Sequence, residues 1–335
     1  MSAIMCQQKT ALVIVLGDAG RSPRMQYHTT SLLNAGYSTT LLGYTGSDLI
    51  PSLTATNPNF TSQRFNPSLP FTNAAFLRRH KLLLPFYYLA RLLTLISMSI
   101  YHGSHTTHSI ILLQNPPSLP TILIAYILSI IASPHWFSRS TVIIDWHNIG
   151  YTMVPDHGPV HTAIRTALRW YVILASRLAA HHNLTVTYKM KEWLGAEFGL
   201  QGNVTALHDK PPKFFTRTTP SRRRDLFAKL GPPFASLPAT TKILFSSTSW
   251  TPDEDFGLLL NALVTLDERT GGTYTFPEIL CVVTGKGPQK AMYEEKFEKL
   301  NLGRIKIMTV WLESGDYPVM VGCADLGVSL HTSTR

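Results

Sequence analysis

Short, almost wholly apolar runs of four to seven residues recur along this chain, and each ends on a polar tip followed by a helical segment. A continuous apolar run has two buried faces, which is the habit of a strand inside a parallel sheet covered by helices. Ala11–Leu16 is such a run and ends in Gly17. A polar loop, Asp18–Pro23, and a helical segment, Arg24–Asn34, follow, with Gly36 placed to end that helix. Ser38–Leu42 is the next strand. The pattern resumes with Ser109–Leu113, broken by Gln114-Asn115-Pro116-Pro117 before a helix that starts near Ser118, and with Thr141–Asp145. A long helix is expected over His161–Ala180, a short strand over Leu184–Thr187 and a helix over Lys189–Phe198. Strands that alternate with helices predict an α/β, doubly wound fold.

Residues 209–240 interrupt the series with Pro211, Pro212, Pro220, Pro232, Pro233 and Pro238, and with Arg222-Arg223-Arg224. This reads as a Pro-rich linker between a first domain, residues 1–208, and a second, residues 241–335. A second β/α series then runs: strand Lys242–Ser246, helix Asp255–Leu266, strand Glu278–Thr284, helix Gln289–Leu300, and strands Ile305–Thr309 and Leu326–Leu330. Two α/β domains predict a cleft between them, and open α/β sheets bind ligands at the carboxyl ends of their strands. The polar strand tips are therefore the candidates for chemistry.

Charge narrows the partners. The net charge is +10. Residues 1–209 hold 14 Lys/Arg against 7 Asp/Glu, and residues 210–335 hold 16 against 13. A basic first half suits an anionic partner (nucleic acid, a phospholipid surface or a diphosphate), or serves solubility alone. Aromatics are not interleaved with the basic residues as a stacking platform for bases requires, so nucleic acid is not expected. Cys6, Cys281 and Cys323 have no C-x-x-C spacing, which argues for a reducing compartment and against a zinc site or a disulfide framework. His102, His105 and His108 lie three apart without a converging acid or thiol, so no metal site is expected. The apolar stretches Leu82–Tyr101 and Thr121–Ala132 read as helices, buried or lying at an interface, rather than spans. The first, beside Arg78, Arg79, His80 and Lys81, is the better candidate for membrane contact.

After the first strand stands Gly17-Asp18-Ala19-Gly20-Arg21-Ser22-Pro23-Arg24. Its glycines permit close backbone approach, the next helix N-terminus favours an anion, and Arg21 and Arg24 are cationic donors suited to a diphosphate. It is neither G-x-G-x-x-G nor a Walker A loop, so dinucleotide binding is disfavoured. Asp145-Trp146-His147-Asn148 ends a later strand, where His147 is able to contact a sugar hydroxyl or act as a base. In the second half the strand tips are Ser246-Ser247-Thr248-Ser249-Trp250, Thr284-Gly285-Lys286-Gly287-Pro288 and His331-Thr332-Ser333. These are donors for a phosphate or a sugar, without the nucleophile–base pairing of a hydrolase.

Taken in order, Val15–His28, Leu112–Pro117, Ile144–Tyr151, Asp209-Lys210-Pro211, Ser246–Phe256, Val283–Pro288 and Asp325–Ser333 closely resemble the motif blocks of the chitobiosyldiphosphodolichol β-mannosyltransferases. The resemblance covers nearly the whole chain. It implies a GT-B fold of two Rossmann-like domains facing a cleft, and transfer of mannose from GDP-mannose to a dolichyl-diphosphate-linked chitobiose with inversion. It further implies the cytosolic face of the endoplasmic reticulum membrane, whose surface and the other early-pathway mannosyltransferases become partners, and no cofactor.

On that resemblance Asp18 is the first choice of general base and His147 the second. Arg21 and Arg24 hold the acceptor diphosphate. Lys210, Ser247, Thr248, Gly285, Lys286, Gly287, His331, Thr332 and Ser333 serve the donor. Family members usually open with a membrane anchor and continue past Ser333 into the rest of the nucleotide site, so the second domain is expected to be incomplete. Two other readings stay open: a GT-B enzyme with another lipid-diphosphate acceptor, and an inactive fragment that binds a membrane or a partner transferase.

Overall fold

The structure is a computed structural model that describes residues 9–54, 56–66, 84–133, 139–153, 158–200, 203–212, 214–252, 254–270, 276–313 and 315–330. The chain divides into two compact units, residues 1–209 and 210–334.

In the first unit, β1 (Thr10–Asp18), α1 (Pro23–Asn34), β2 (Ser38–Tyr44), α2 (Pro51–Thr54) and β3 (Phe60–Phe65) come first. They are followed by α3 (Leu84–Gly103), β4 (Ile110–Asn115), α4 (Thr121–Ile131), β5 (Thr141–Trp146), α5 (Pro159–Ala179), β6 (His182–Thr185), α6 (Tyr188–Phe198) and β7 (Val204–Ala206). All seven strands are parallel, in the order β3-β2-β1-β4-β5-β6-β7. The order reverses between β1 and β4, the topological switch point at which doubly wound sheets hold ligands. α2, β3 and β7 add to the elements that the sequence pattern predicts. The short strand expected over Leu184–Thr187 begins two residues earlier, because Thr187 is spent on capping α6: its Oγ1 accepts from the Met190 N–H at 3.1 Å.

Alternation along the strands sorts the side chains onto two faces. Leu12, Ile14, Leu113, Ile144 and Trp146 point to the face covered by α3, α4, α5 and α6. Val13, Val15, Leu41 and Ile143 point to the other, covered by α1 and α2. Asp145, next to Ile143 in this alternation, therefore faces α1. The expected helices over Leu82–Tyr101 and Thr121–Ala132 are α3 and α4. Among the described residues no helix is long and apolar enough to cross a membrane. The basic cluster at 78–81 lies outside the described residues.

In the second unit, α7 (Pro220–Leu230), β8 (Lys242–Ser247), α8 (Phe256–Thr270), β9 (Ile279–Thr284), α9 (Lys290–Glu298), β10 (Ile305–Val310), α10 (Asp316–Cys323) and β11 (Leu326–Gly327) build a parallel sheet of order β10-β9-β8-β11. One sheet face packs Ile243, Phe245, Leu280 and Val282 against Leu226 and Phe227 of α7 and Met320 of α10. The other packs Ile279, Cys281 and Val283 against Phe256 of α8 and Tyr293 of α9. Residues 220–236, read as linker on their prolines, thus carry a helix and part of the second core. The Thr219 hydroxyl caps α7, Pro220 occupies its first turn and Gly231, at φ +72°, ends it. Cys281 and Cys323 are buried free thiols.

Candidate active site

Three polar side chains of the first unit converge on Asp145, at the tip of β5. The carboxylate is fully buried. Its Oδ2 accepts from Arg24 Nε at 2.7 Å, His147 Nε2 at 2.9 Å and His28 Nε2 at 3.1 Å, while Oδ1 accepts from Arg24 Nη2 at 3.0 Å. Arg24 and His28 reach it together because they stand one turn apart on α1, which places them on one face of the helix. His147 is fixed from its own backbone, whose N–H donates to the Asn115 carbonyl at 2.9 Å. On the sheet's other face Trp146 anchors the strand tip, with its indole N–H donating to Asn183 Oδ1 at 2.8 Å.

Burial alone would raise the Asp145 pKa. The hydrogen bonds from His147, His28 and Arg24 outweigh it and hold the carboxyl far below the usual carboxylate range. Burial likewise opposes the Arg24 charge, but Asp145 and Asp209, the latter 2.8 Å from Nη1, raise its pKa. An ionised carboxylate only accepts, so each neutral imidazole presents Nε2–H to Asp145 and keeps Nδ1 as a lone-pair acceptor. Among the described residues nothing hydrogen-bonds either Nδ1. The result is a buried carboxylate that orients two partly exposed imidazoles, the arrangement by which a histidine serves as a positioned base. At the tip of β4, in register with Asp145, Gln114 has its Oε1 buried without a partner among the described residues. Such acceptors are costly unless a ligand or water meets them.

The loop after β1 is organised differently. The Asp18 carboxylate accepts from the Ser47 backbone N–H at 2.9 and 3.0 Å, from Ser47 Oγ at 2.8 Å and from the Gly20 N–H at 3.0 Å. The Ser47 backbone N–H is the main cause that lowers its pKa. Asp18 is thus a clamp between two loops, and both its oxygens are engaged. Gly20 is required here, since a Cβ would meet the Ser47 carbonyl oxygen at 2.4 Å. Arg21 is exposed, with Nε 3.2 Å from Ser47 Oγ and 3.5 Å from Asp18. The guanidinium of Arg24 is spent on two carboxylates, whereas that of Arg21 is exposed.

In the second unit the tips of β8 and β9 are interlocked. Ser247 pairs with Thr284, and the Thr248 N–H donates to the Thr284 carbonyl at 2.9 Å. A Cβ on Gly285, at φ +132°, would fall 1.8 Å from the Thr248 carbonyl oxygen, and one on Gly287 1.7 Å from that of Ser249. These two glycines are demanded by loop-on-loop packing. The nearly buried Glu254 ties the same loop: its Oε2 accepts from the Thr248 hydroxyl and from the backbone N–H groups of Ser249 and Trp250, both at 3.0 Å. Lys286 Nζ sits 4.0 Å from the centroid of the exposed Trp311 ring. Lys210 is exposed in irregular chain just after Asp209. His331, Thr332 and Ser333 lie outside the described residues.

The structure therefore brings His147 together with Arg24, and gathers Ser247, Thr248, Gly285 and Gly287 in a second cluster. It holds Asp18 apart in its own loop clamp. Asp145, His28 and Glu254 were not singled out by the sequence. The one available signal was an acid at a buried strand tip two residues before a histidine. Among the described residues no three His, Cys, Asp or Glu side chains group as metal ligands. His108 instead is buried and bonds the Gly103 carbonyl at 2.9 Å, and His102 stacks on Phe65.

The fold has clear relatives among solved structures. The Anabaena Alr3699/HepE complex with UDP-glucose aligns over 97% of this chain and 74% of that one, with a TM-score of 0.60 at 13% identity. The OtsA apo structure aligns over 95% and 77%, with a TM-score of 0.54 at 10% identity. These neighbours share the GT-B fold, and that is the fold class of this chain. No family model matches the sequence. Curated relatives, however, are close. The Homo sapiens protein named chitobiosyldiphosphodolichol beta-mannosyltransferase is 35% identical across 96% of this chain and 72% of its own length. That of Yarrowia lipolytica is 34% identical across 98% and 68%. The Arabidopsis thaliana UDP-glycosyltransferase TURAN is 33% identical across 98% and 78%. The chain belongs to the chitobiosyldiphosphodolichol beta-mannosyltransferase family and is a glycosyltransferase.

Proposed function

We propose that this chain transfers mannose from GDP-mannose to the outer sugar of dolichyl-diphosphate chitobiose, in a β link, at the cytosolic face of the endoplasmic reticulum membrane. The family and the fold support the reaction class. The single observation that carries the chemical assignment is the buried Asp145 carboxylate that orients His147.

His147 is the general base in this reading. Its Nδ1 takes the proton of the attacking acceptor hydroxyl as that oxygen bonds the anomeric carbon. The bond from that carbon to the diphosphate breaks on the opposite side, and GDP leaves with the electron pair, so an α donor gives a β product. Asp145 stabilises the imidazolium that forms, as a buried carboxylate does for a histidine base. His28 shares the carboxylate and serves as a hydrogen-bond partner of the acceptor sugar. Arg21 faces the acceptor diphosphate, and Arg24 positions Asp145. In the second unit, the hydroxyl and backbone donors of Ser247 and Thr248, with Lys286, hold the donor diphosphate and bear its growing charge on departure. Asp18 fixes the loop that carries Arg21.

The test is turnover of GDP-mannose by His147→Ala and Asp18→Asn, with GDP binding measured on the same preparations. The expected result is a drop of at least about a hundredfold in kcat for His147→Ala at unchanged GDP affinity. Asp18→Asn should keep most of its kcat. The reverse ranking would return the base to Asp18.

A further inference from the structure

Helix α5 carries two apolar faces where a helix packed on a sheet needs one. Val172, Ile173 and Ala179 are buried against the sheet and α4. Val160, Ile164, Trp170, Leu174 and Leu178 are exposed, Trp170 at 55% and Leu178 at 67%. At 100° per residue these five fall in a stripe about 120° wide, and 18 residues at 1.5 Å make it roughly 27 Å long. The neighbouring helices prolong it. α4 packs on α5 and α3 on α4, all on the same face of the sheet. Their outer sides expose Ile130 and Ile131 on α4, and Leu89, Leu93 and Tyr101 on α3. The exposed apolar side chains thus recur on three helices that pack on one another in turn, where the surface of an ordinary monomer scatters them singly.

The charge pattern selects the occupant. No aspartate or glutamate occurs in α3, α4 or α5. From residue 49 to residue 191 the chain has two carboxylates, Asp145 and Asp156, against eleven lysines and arginines. Of those two, Asp145 is buried under Arg24 and two histidines. A second copy of the chain pressed face to face would bring two acid-free helix faces that carry arginines together, and Glu197, the carboxylate beside Arg169, is already engaged with it at 2.6 Å. An anionic bilayer surface accepts both features. It takes up the apolar stripe to a depth of roughly 5–10 Å, attracts each nearby cation, and suits Trp170 and Tyr101 as boundary aromatics.

We propose that the outer face of α5, continued by α3 and α4, is the surface on which this chain lies against an anionic phospholipid bilayer. The inference deepens the transferase reading, from which it takes only that the acceptor is lipid-linked. The face itself stands independently of the chemistry.

Flotation of the full chain with vesicles of phosphatidylcholine alone, or with about 30% phosphatidylserine, tests it, against the double variant Trp170→Ala/Leu174→Gln. Both positions are exposed, so thermal unfolding of the variant should match the parent. The parent should float with the anionic vesicles and much less with the neutral ones, and the variant should bind at least about tenfold more weakly. Salt at about 0.5 M should weaken parental binding, because it screens the attraction. Equal flotation of variant and parent would overturn the proposal. So would a parent that stays off the vesicles and is a dimer that the variant dissolves, which would give the face to a second copy. Turnover of a short-chain, water-soluble diphosphate acceptor should be the same in both proteins. Its absence in both, with flotation as expected, would strike the transferase reading and leave the surface standing.

Discussion

Replacing Asp145 by asparagine removes one buried negative charge from beneath three donors and keeps the side-chain volume. The Arg24 guanidinium then loses its two short bonds to the carboxylate, at 2.7 and 3.0 Å, and an amide N–H is turned toward at least one of the four N–H groups that converge there. Breaking a buried ion pair costs about 3–5 kcal/mol. Arg24 retains Asp209, a largely exposed carboxylate that offsets at most about 1 kcal/mol, so the net loss sits near 3 kcal/mol. For a unit of this size that is a fall in Tm of roughly 6–12 °C. The assay is thermal unfolding of parent and Asp145→Asn, followed by circular dichroism at neutral pH and again in acid. The sign of the pH dependence is fixed by the depressed carboxyl. A folded pKa below the ordinary 3.8 gives stability that is fully present above 3.8 and is lost as pH falls through the folded value. The gap between the two proteins should therefore be widest near neutrality and shrink below about pH 4. A variant that melts within about 1 °C of the parent at pH 7 would refute the claim that this cluster is a tight buried ion pair.

Other perturbations reach the second unit and the clamp. Gly287→Ala drives a Cβ onto the Ser249 carbonyl oxygen and should lower stability by about 1–3 kcal/mol and abolish GDP binding, as calorimetry would record. Glu254→Gln frees one backbone N–H of the 248–250 loop and should weaken GDP by about tenfold while leaving the first unit's unfolding unchanged. Asp18→Asn should cost about 1 kcal/mol of stability, read by denaturant titration. Burial pushes the Cys281 thiol up to about 12, so a thiol reagent at pH 8 should leave Cys281 unlabelled in the folded protein and label it on unfolding.

The sheet was legible because its strands are buried on both faces and read as unbroken apolar runs. The β1, β4, β5, β8 and β9 strands follow from that pattern, while β2 and β10 carry polar residues within it (Ser38-Thr39-Thr40 and Lys306). What the pattern could not carry is contact at a distance. Arg24 and Asp145 stand 121 residues apart, and they meet only because β4 alone separates β1 from β5 and because alternation turns Asp145 toward α1. Gly285 and Gly287 looked like ligand-facing glycines. Their partners are the backbone of Thr248 and Ser249, which only the pairing of β8 with β9 brings near. Asp18 looked like a free acid in a site loop, and half of its clamp, the bond from Gly20, was local and readable. Ser47 was not. The helix at Pro220–Leu230 was readable, since Thr219, Pro220 and Gly231 are its start and stop signals, and the density of prolines around it hid them.

The most direct test of the central claim is transfer from labelled GDP-mannose to a lipid-diphosphate chitobiose by the intact chain, with the product's linkage read by enzymatic digestion. The account predicts a single mannose, released by a β-mannosidase and resistant to an α-mannosidase, formed by the parent and not by His147→Ala. An α-linked product, a UDP-sugar as the preferred donor, or undiminished transfer by His147→Ala would contradict it.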